Sequence, residues 1–344
     1  MNSAYRDFLQ LSKADRGDIF VTVASDLDTL SSYIEKDFWV CLVLDVLFNS
    51  LPLGHPGLSF KGGTSLSKVF GLINRFSEDV DITVSRVDLG FEGDRDPINP
   101  DLSKSQRNRL TNKLRKAVQG YAADGLMPAL KEILGALGLT LEMEADTQDP
   151  SLLAFYPTIT PEGAAGYVPK RVKIELGARA AQEPNIQGSV RPYILEAGLD
   201  LDLTVSDIRT VTAERTFWEK VLILHGWKSR YMDAGQSVDE AELASRHYYD
   251  VAKLSESEQG RSAVEDLALL DAVRHHNQLM FPQPWKKFEE ARAGSFRVSP
   301  EGQLLEDIKR DYEKMRSMIL GEGLPFEDVA ERISRLEEQL NAAE

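Results

Sequence analysis

The chain has 344 residues, with 40 Lys and Arg against 55 Asp and Glu, for a formal net charge of −15. That balance excludes a uniformly basic nucleic-acid-binding surface but not a local basic patch, because the field at the site is what counts. The 42% hydrophobic and 28% charged content is ordinary for a globular protein with a sizeable core, and the length predicts two or three subdomains.

The single cysteine, Cys41, lies in the apolar run FWVCLVLDVLF, which excludes an intrachain disulfide and a Cys-based zinc site. It reads as a small buried hydrophobe, and the composition fits a reducing cytoplasm. The first twenty residues lack the apolar core of a signal peptide. The longest apolar run, Phe38 to Phe48, is too short to span a bilayer.

Residues 1–50 predict helices, with Ser3 and Asp26 as N-caps and one amphipathic segment from Ala24 to Asn49. Within it, Glu35-Lys36-Asp37-Phe38-Trp39 reads as a helix face packing on the core, with a functional segment as the alternative. The PLGHPG segment is a loop, and Leu58-Ser59-Phe60 a short strand. The stretch from Lys61 to Val84, KGGTSLSKVFGLINRFSEDVDITV, then organises the chain. Its glycines can bring backbone N–H groups close to phosphates. Ser65 to Ile73 has helical spacing, capped by Thr64 or Ser65. Residues 79–84 alternate as a half-buried strand that places Asp79 and Asp81 on one face, as a Mg²⁺-dependent nucleotide site needs.

Gly90 to Ser103 reads as a polar loop whose length suggests either disorder or a substrate lid. A long helix follows whose first half concentrates Lys104, Arg107, Arg109, Lys113, Arg115 and Lys116, either a solvated face or a contact for a phosphate backbone. Strands are expected at Leu139 to Ala145, Leu152 to Thr160 and Val168 to Leu176. On the third, Arg171, Lys173 and Glu175 share one face, which on a central strand asks for a reason and on an edge strand does not. Residues 183–210 read as irregular, with strand fragments at PYIL and DLTV. From Thr212 the pattern is helical, interrupted by a polar loop at Met232 to Glu240. It ends in a segment, Glu301 to Glu344, with 12 acidic and 6 basic residues. Asp250 stands four residues after Arg246, where the two can pair. His225, His275 and His276 read as packing or surface residues.

Strand, GGTS, helix and D-x-D strand in that order resemble the polymerase-β-like nucleotidyltransferase fold. The wording of the motifs goes further. KGGTSLSK with RFSEDVDITV closely resembles the first motif of the AbiEii/AbiGii nucleotidyltransferase toxins of toxin–antitoxin and phage-defence systems. KRVKIEL resembles the second motif (Lys173, Glu175), ERTFWEKVLILH the third (Glu214, Lys220) and SRHYYDVAKL the fourth (Asp250).

The resemblance implies an α+β fold: N-terminal helices over 1–50, a nucleotidyltransferase core with a small mixed sheet over 51–210, and a C-terminal helical bundle over 211–344. It implies a cytoplasmic enzyme that uses Mg²⁺ (or Mn²⁺) to move a nucleotide from an NTP to RNA, the tRNA 3′ end above all, and a cognate antitoxin. Asp79, Asp81 and Glu175 would hold the metal, and Lys173, Lys220 and Asp250 would join them in catalysis. Gly62, Gly63, Thr64, Ser65 and Lys68 would bind the nucleotide, and Arg107, Lys113, Arg115 and Lys116 the RNA. The same fold acting on a small molecule or protein side chain, and a non-catalytic nucleotide-binding module, are the alternatives.

Overall fold

In the computed structural model, which describes residues 2–160 and 169–342, the chain divides into two units. The first holds residues 1–70 and 76–211, the second residues 71–75 and 212–344.

The first unit opens with three helices, α1 (Ala4–Gln10), α2 (Lys13–Asp26) and α3 (Ser31–Asn49). The single helix expected from Ala24 is broken, because Asp28 takes a left-handed φ of 47°, which a short polar side chain tolerates. Asp26 therefore ends α2 rather than capping a new helix, and Ser3 precedes α1 without a side-chain cap bond. Helix α3 is buried from Tyr33 to Leu47 on every side, Glu35, Lys36, Asp37 and Asp45 included.

Strand β1 (Leu58–Lys61) runs into α4 (Gly62–Lys68), then β2 (Asp79–Val84). Helix α4 stops short of the expected Ile73, and Gly71 turns the chain at φ 63°. The polar loop after β2 folds on itself, Arg86 Nε donating to Asp96 at 2.9 Å. Helices α5 (Lys104–Gly120) and α6 (Met127–Ala136) are joined by a π-helical stretch, residues 121–126. Strands β3 (Glu142–Ala145), β4 (Ser151–Phe155), β5 (Arg171–Gly177), β6 (Asn185–Val190) and β7 (Val205–Val211) complete the unit. Val168, expected to open β5, lies outside the described residues. PYIL is a 3-10 turn closed by Gly198 in the left-handed region, so the two strands fall on either side of it.

The seven strands form one mixed sheet in the order β3-β4-β5-β2-β1-β7-β6, with β2 parallel to β5 and β1 parallel to β7. Strand β5 is therefore interior, which removes the edge-strand reading of its charges. One face of the sheet is apolar: Phe60, Val80, Ile82, Val172, Ile174 and Leu152 are buried there. Helix α3 packs against β2, β5 and β7.

The second unit is helical: α7 (Ala213–Ala234), α8 (Ala244–Ser255), α9 (Glu258–Glu265), α10 (Leu267–Met280), α11 (Gly302–Met315) and α12 (Phe326–Ala342). Thr212 caps α7 with its hydroxyl, and Gly235 ends it in the left-handed conformation after the helix has taken in the first three residues of the expected loop. Helix α8 packs against α7, α9, α11 and α12, with Tyr248, Val251 and Leu254 buried. Of the acidic terminal segment, residues 343–344 lie outside the described residues. Among the described residues no helix is long and apolar enough to cross a membrane.

Candidate functional site

Two neighbouring parallel strands carry the first unit's charged face. Asp79 of β2 stands beside Lys173 of β5, and Asp81 beside Glu175. On the other side of β2, Lys61 of β1 is the direct partner of Asp81. Cross-strand partners share a face, so Lys61, Asp79, Asp81, Lys173 and Glu175 form a patch across three strands in which three carboxylates crowd together between two lysines. Lys61 carries no signal of this in the sequence, because its place opposite Asp81 follows from an antiparallel pairing that spacing does not report. Ser59, Thr83 and Ser151 continue this face. Their buried hydroxyls find no hydrogen-bond partner among the described residues.

The electrostatics match the geometry. Burial pushes the Asp79 carboxyl up to about 6, and the negative charges of Glu78, Glu175 and Asp81 push in the same direction. Lys173 bonds to Glu175 across i, i+2 of β5. Burial works against its charge, but that bond, the charge of Glu175 and that of Asp79 outweigh it and raise the ammonium's pKa. A face on which carboxylates repel one another to this degree gains from a divalent cation, and hard oxygen donors suit Mg²⁺ or Mn²⁺. The donor set therefore fits such an ion. Among the described residues, no three His, Cys, Asp or Glu side chains already stand at ligand spacing. Glu175 is turned to Lys173 instead.

Gly62 holds the carboxylate in place from behind. It has φ 80°, and a Cβ added there would meet the Asp81 carboxyl, with Cγ only 2.9 Å away. Gly62→Ala is expected to displace Asp81, lowering any activity of this face by about 10²-fold, the usual effect of an ångström-scale misplacement. Paired melting curves and rate measurements check it; unchanged rates exclude the contact as important.

The rest of the GGTS turn is braced rather than open. Thr64 Oγ1 lies 2.5 Å from the Asp79 carbonyl oxygen and 2.9 Å from Ser77 Oγ, and Ser65 donates to the Gly62 carbonyl at 2.9 Å. Both side chains are buried. Their hydroxyls lock the turn to the start of β2, which leaves the first-turn amides of α4 as its donors. Lys68, expected among the nucleotide ligands, is corrected by the structure. Its side chain is buried, 2.7 Å from Asp37 Oδ1, and lies over the Tyr193 ring at 3.6 Å. An ammonium so enclosed is committed to the fold.

Lys220 and Asp250 belong to the second unit and meet there, Nζ to Oδ2 at 2.9 Å. Arg246 is not the partner of Asp250. Arg75 is: its Nε and Nη2 donate to the two carboxylate oxygens at 2.7 Å each. Asp250 is fully buried, which alone would favour the neutral acid. The charges of Arg75 and then Lys220 outweigh burial and hold the carboxyl well below its usual range. Arg75 lies in the first-motif stretch, and what hid its role is that its partner is 175 residues away. His225 is buried, accepts from Arg297 N at 3.1 Å and is lowered by burial to about 4, a packing role.

On α5, Leu110, Leu114 and Val118 face inward. Lys104, Arg109, Lys113 and Lys116 are exposed, while Arg107 donates to the carbonyls of Pro97 and Asn99 at 2.8 and 2.9 Å. Arg115 is tied to Gln148 O and, at 3.0 Å, to Asp149. The basic patch is thus smaller than its sequence suggests.

A family model described as "Nucleotidyl transferase AbiEii toxin, Type IV TA system" matches residues 45–332. Among solved structures, MenT4, the nucleotidyltransferase toxin Rv2826c from Mycobacterium tuberculosis H37Rv, matches at 14% identity over 89% of this chain and 99% of that chain, with a TM-score of 0.33. No curated protein matches.

Proposed function

This chain belongs to the AbiEii family of nucleotidyltransferase toxins, and from that premise we propose that it transfers a nucleoside monophosphate from an NTP to an RNA acceptor, the tRNA 3′ end. The observation that carries the reading is the β2–β5 face, where Asp79, Asp81 and Glu175 gather beside Lys173 and the Gly62 turn. Asp79 and Asp81 with Glu175 would hold Mg²⁺ or Mn²⁺, which when bound neutralises the triphosphate and the departing pyrophosphate. The amides of Gly62 and Gly63 bind phosphate oxygens. Glu175 orients the acceptor hydroxyl and takes its proton as the acceptor oxygen bonds to the α-phosphorus and pyrophosphate leaves. Lys173 supplies positive charge beside these carboxylates, and within the second unit Asp250 fixes the Lys220 ammonium. A toxin of this kind acts in the cytoplasm and is held in check by a cognate antitoxin.

The test incubates the protein with Mg²⁺, each labelled NTP and total tRNA. Label in RNA is expected; its absence with every NTP overturns the reading. A small-molecule or protein acceptor is the second reading, favoured by the commitment of Arg107 and Arg115 to backbone carbonyls. Charge reversal at Lys113 and Lys116 separates the two, since it weakens transfer to RNA and leaves a small acceptor unaffected.

A pH dependence follows from Asp79. Above about 6 its carboxylate is ionised and able to bind a cation; below, it is neutral. Transfer is therefore expected to fall in acid, and at saturating Mg²⁺ the fall comes below about 6, because a bound cation favours the ionised carboxylate. The stability of the metal-free protein runs the other way. A carboxyl raised in the folded state adds stability below its unfolded value and loses it as pH rises through the folded one. Rate profiles and metal-free melts between about pH 5 and 8 check both signs.

A further inference from the structure

We propose that Lys36 is a positioning residue for the transfer site, a buried staple that sets β2 against β5. The proposal rests on the nucleotidyltransferase reading above. Lys36 lies in α3 and is 1% exposed. Its ammonium donates to Glu78 Oε2 at 2.5 Å and to the Pro169 carbonyl at 3.0 Å. Glu78 is the residue before β2, and Pro169 comes two residues before β5. One side chain therefore grips the leading ends of both strands that carry the charged face.

The grip matters because of how these strands pair. They are parallel neighbours, so no tight turn sets their register. A one-residue slip would send Lys173 and Glu175 to the apolar face, and a smaller slide would part Glu175 from Asp81. A hydrophobe at this buried position could fill the space but could not hold the two strand starts together. A buried ammonium is expensive unless it is paired and hydrogen-bonded, and this one is both. The neighbouring buried charges hold other segments. Glu35 accepts from Ile159 N at 2.8 Å and from Thr158 Oγ1 at 2.8 Å, and Asp37 holds Lys68 and Tyr193 N. Asp45, also buried in α3, accepts from Asn2 N at 2.8 Å and serves as a control remote from the strand starts.

The experiment measures kcat, the NTP KM and the melting temperature for wild type, Lys36→Met, Lys36→Arg, Glu78→Gln and Asp45→Asn. Lys36→Met is expected to lower kcat by about 10²-fold, with the NTP KM changed by less than about threefold. Lys36→Arg, which keeps the charge and two donors, should recover kcat to within about tenfold of wild type. Asp45→Asn should lower the melting temperature without moving kcat. Wild-type kcat in Lys36→Met, or a loss no larger than that of Asp45→Asn at equal loss of melting temperature, overturns the role. If Lys36→Met does not fold, Glu78→Gln decides. It weakens one arm of the staple to an uncharged acceptor and removes one repelling charge beside Asp79, so a fall in kcat supports positioning and an unchanged or raised kcat overturns it. A wild-type protein that transfers no nucleotide overturns the functional reading itself, and this role with it.

Discussion

Asp81→Asn is expected to lower nucleotide transfer by roughly 10³-fold or more, the scale of losing a group that acts directly on developing charge. Asp81 stands between Lys61 and Glu175 in the sheet and against Gly62 in the turn, so no neighbouring carboxylate can take its place without rebuilding three strands. The amide is isosteric and uncharged. It also removes one of the charges that push Asp79 upward, so the metal-free variant should melt at the wild-type temperature or above it. This pairing of lost activity with kept or raised stability separates a ligand from a structural carboxylate. Calorimetric titration with Mg²⁺ alone gives a second readout, in which the variant should bind more weakly. Near-wild-type transfer would remove Asp81 from the chemistry.

The second large effect concerns stability. Asp250→Ala should destabilise the second unit by about 3–5 kcal/mol, because it leaves two buried cations without their counter-ion. Arg75 and Lys220 are 3% and 7% exposed, so water cannot replace the carboxylate. Asp250→Asn keeps the shape and one acceptor oxygen but turns an NH2 donor toward a cation that the second carboxylate oxygen held, and should fall between. The sign with pH is the ordinary one for a depressed carboxyl. The stabilisation is complete above the unfolded value and is lost only as pH falls through the lower folded value. Thermal melts of the three proteins at neutral pH check the order. An alanine variant as stable as wild type would mean the cluster contributes nothing to the fold. If Asp250→Asn loses transfer far beyond its loss of stability, the carboxylate does more than hold the fold.

Local spacing carried much of the fold's content. The alternation of residues 79–84 and 171–177 placed Asp79 with Asp81, and Lys173 with Glu175, on single faces, because a strand repeats every two residues whatever it pairs with. Helical spacing found α5, α7 and α8 for the same reason, and the motif wording pointed to the family whose model matches the chain. Element ends were less legible. A left-handed Asp28 and a glycine at residue 71 cut two helices that periodicity alone would have continued.

What only the tertiary structure decided is which residues stand opposite one another. Nothing in the spacing says that β5 lies parallel to β2, that Lys61 faces Asp81 or that Glu175 does. Nor does it say that Lys68 is spent on Asp37, that Asp250 takes Arg75 rather than Arg246, or that Lys36 grips Glu78 and Pro169. Each of these joins segments distant in the chain, and such pairings are settled by how whole elements bury their apolar faces together. A sequence pattern reports the geometry within one element. The site depends on the geometry between them.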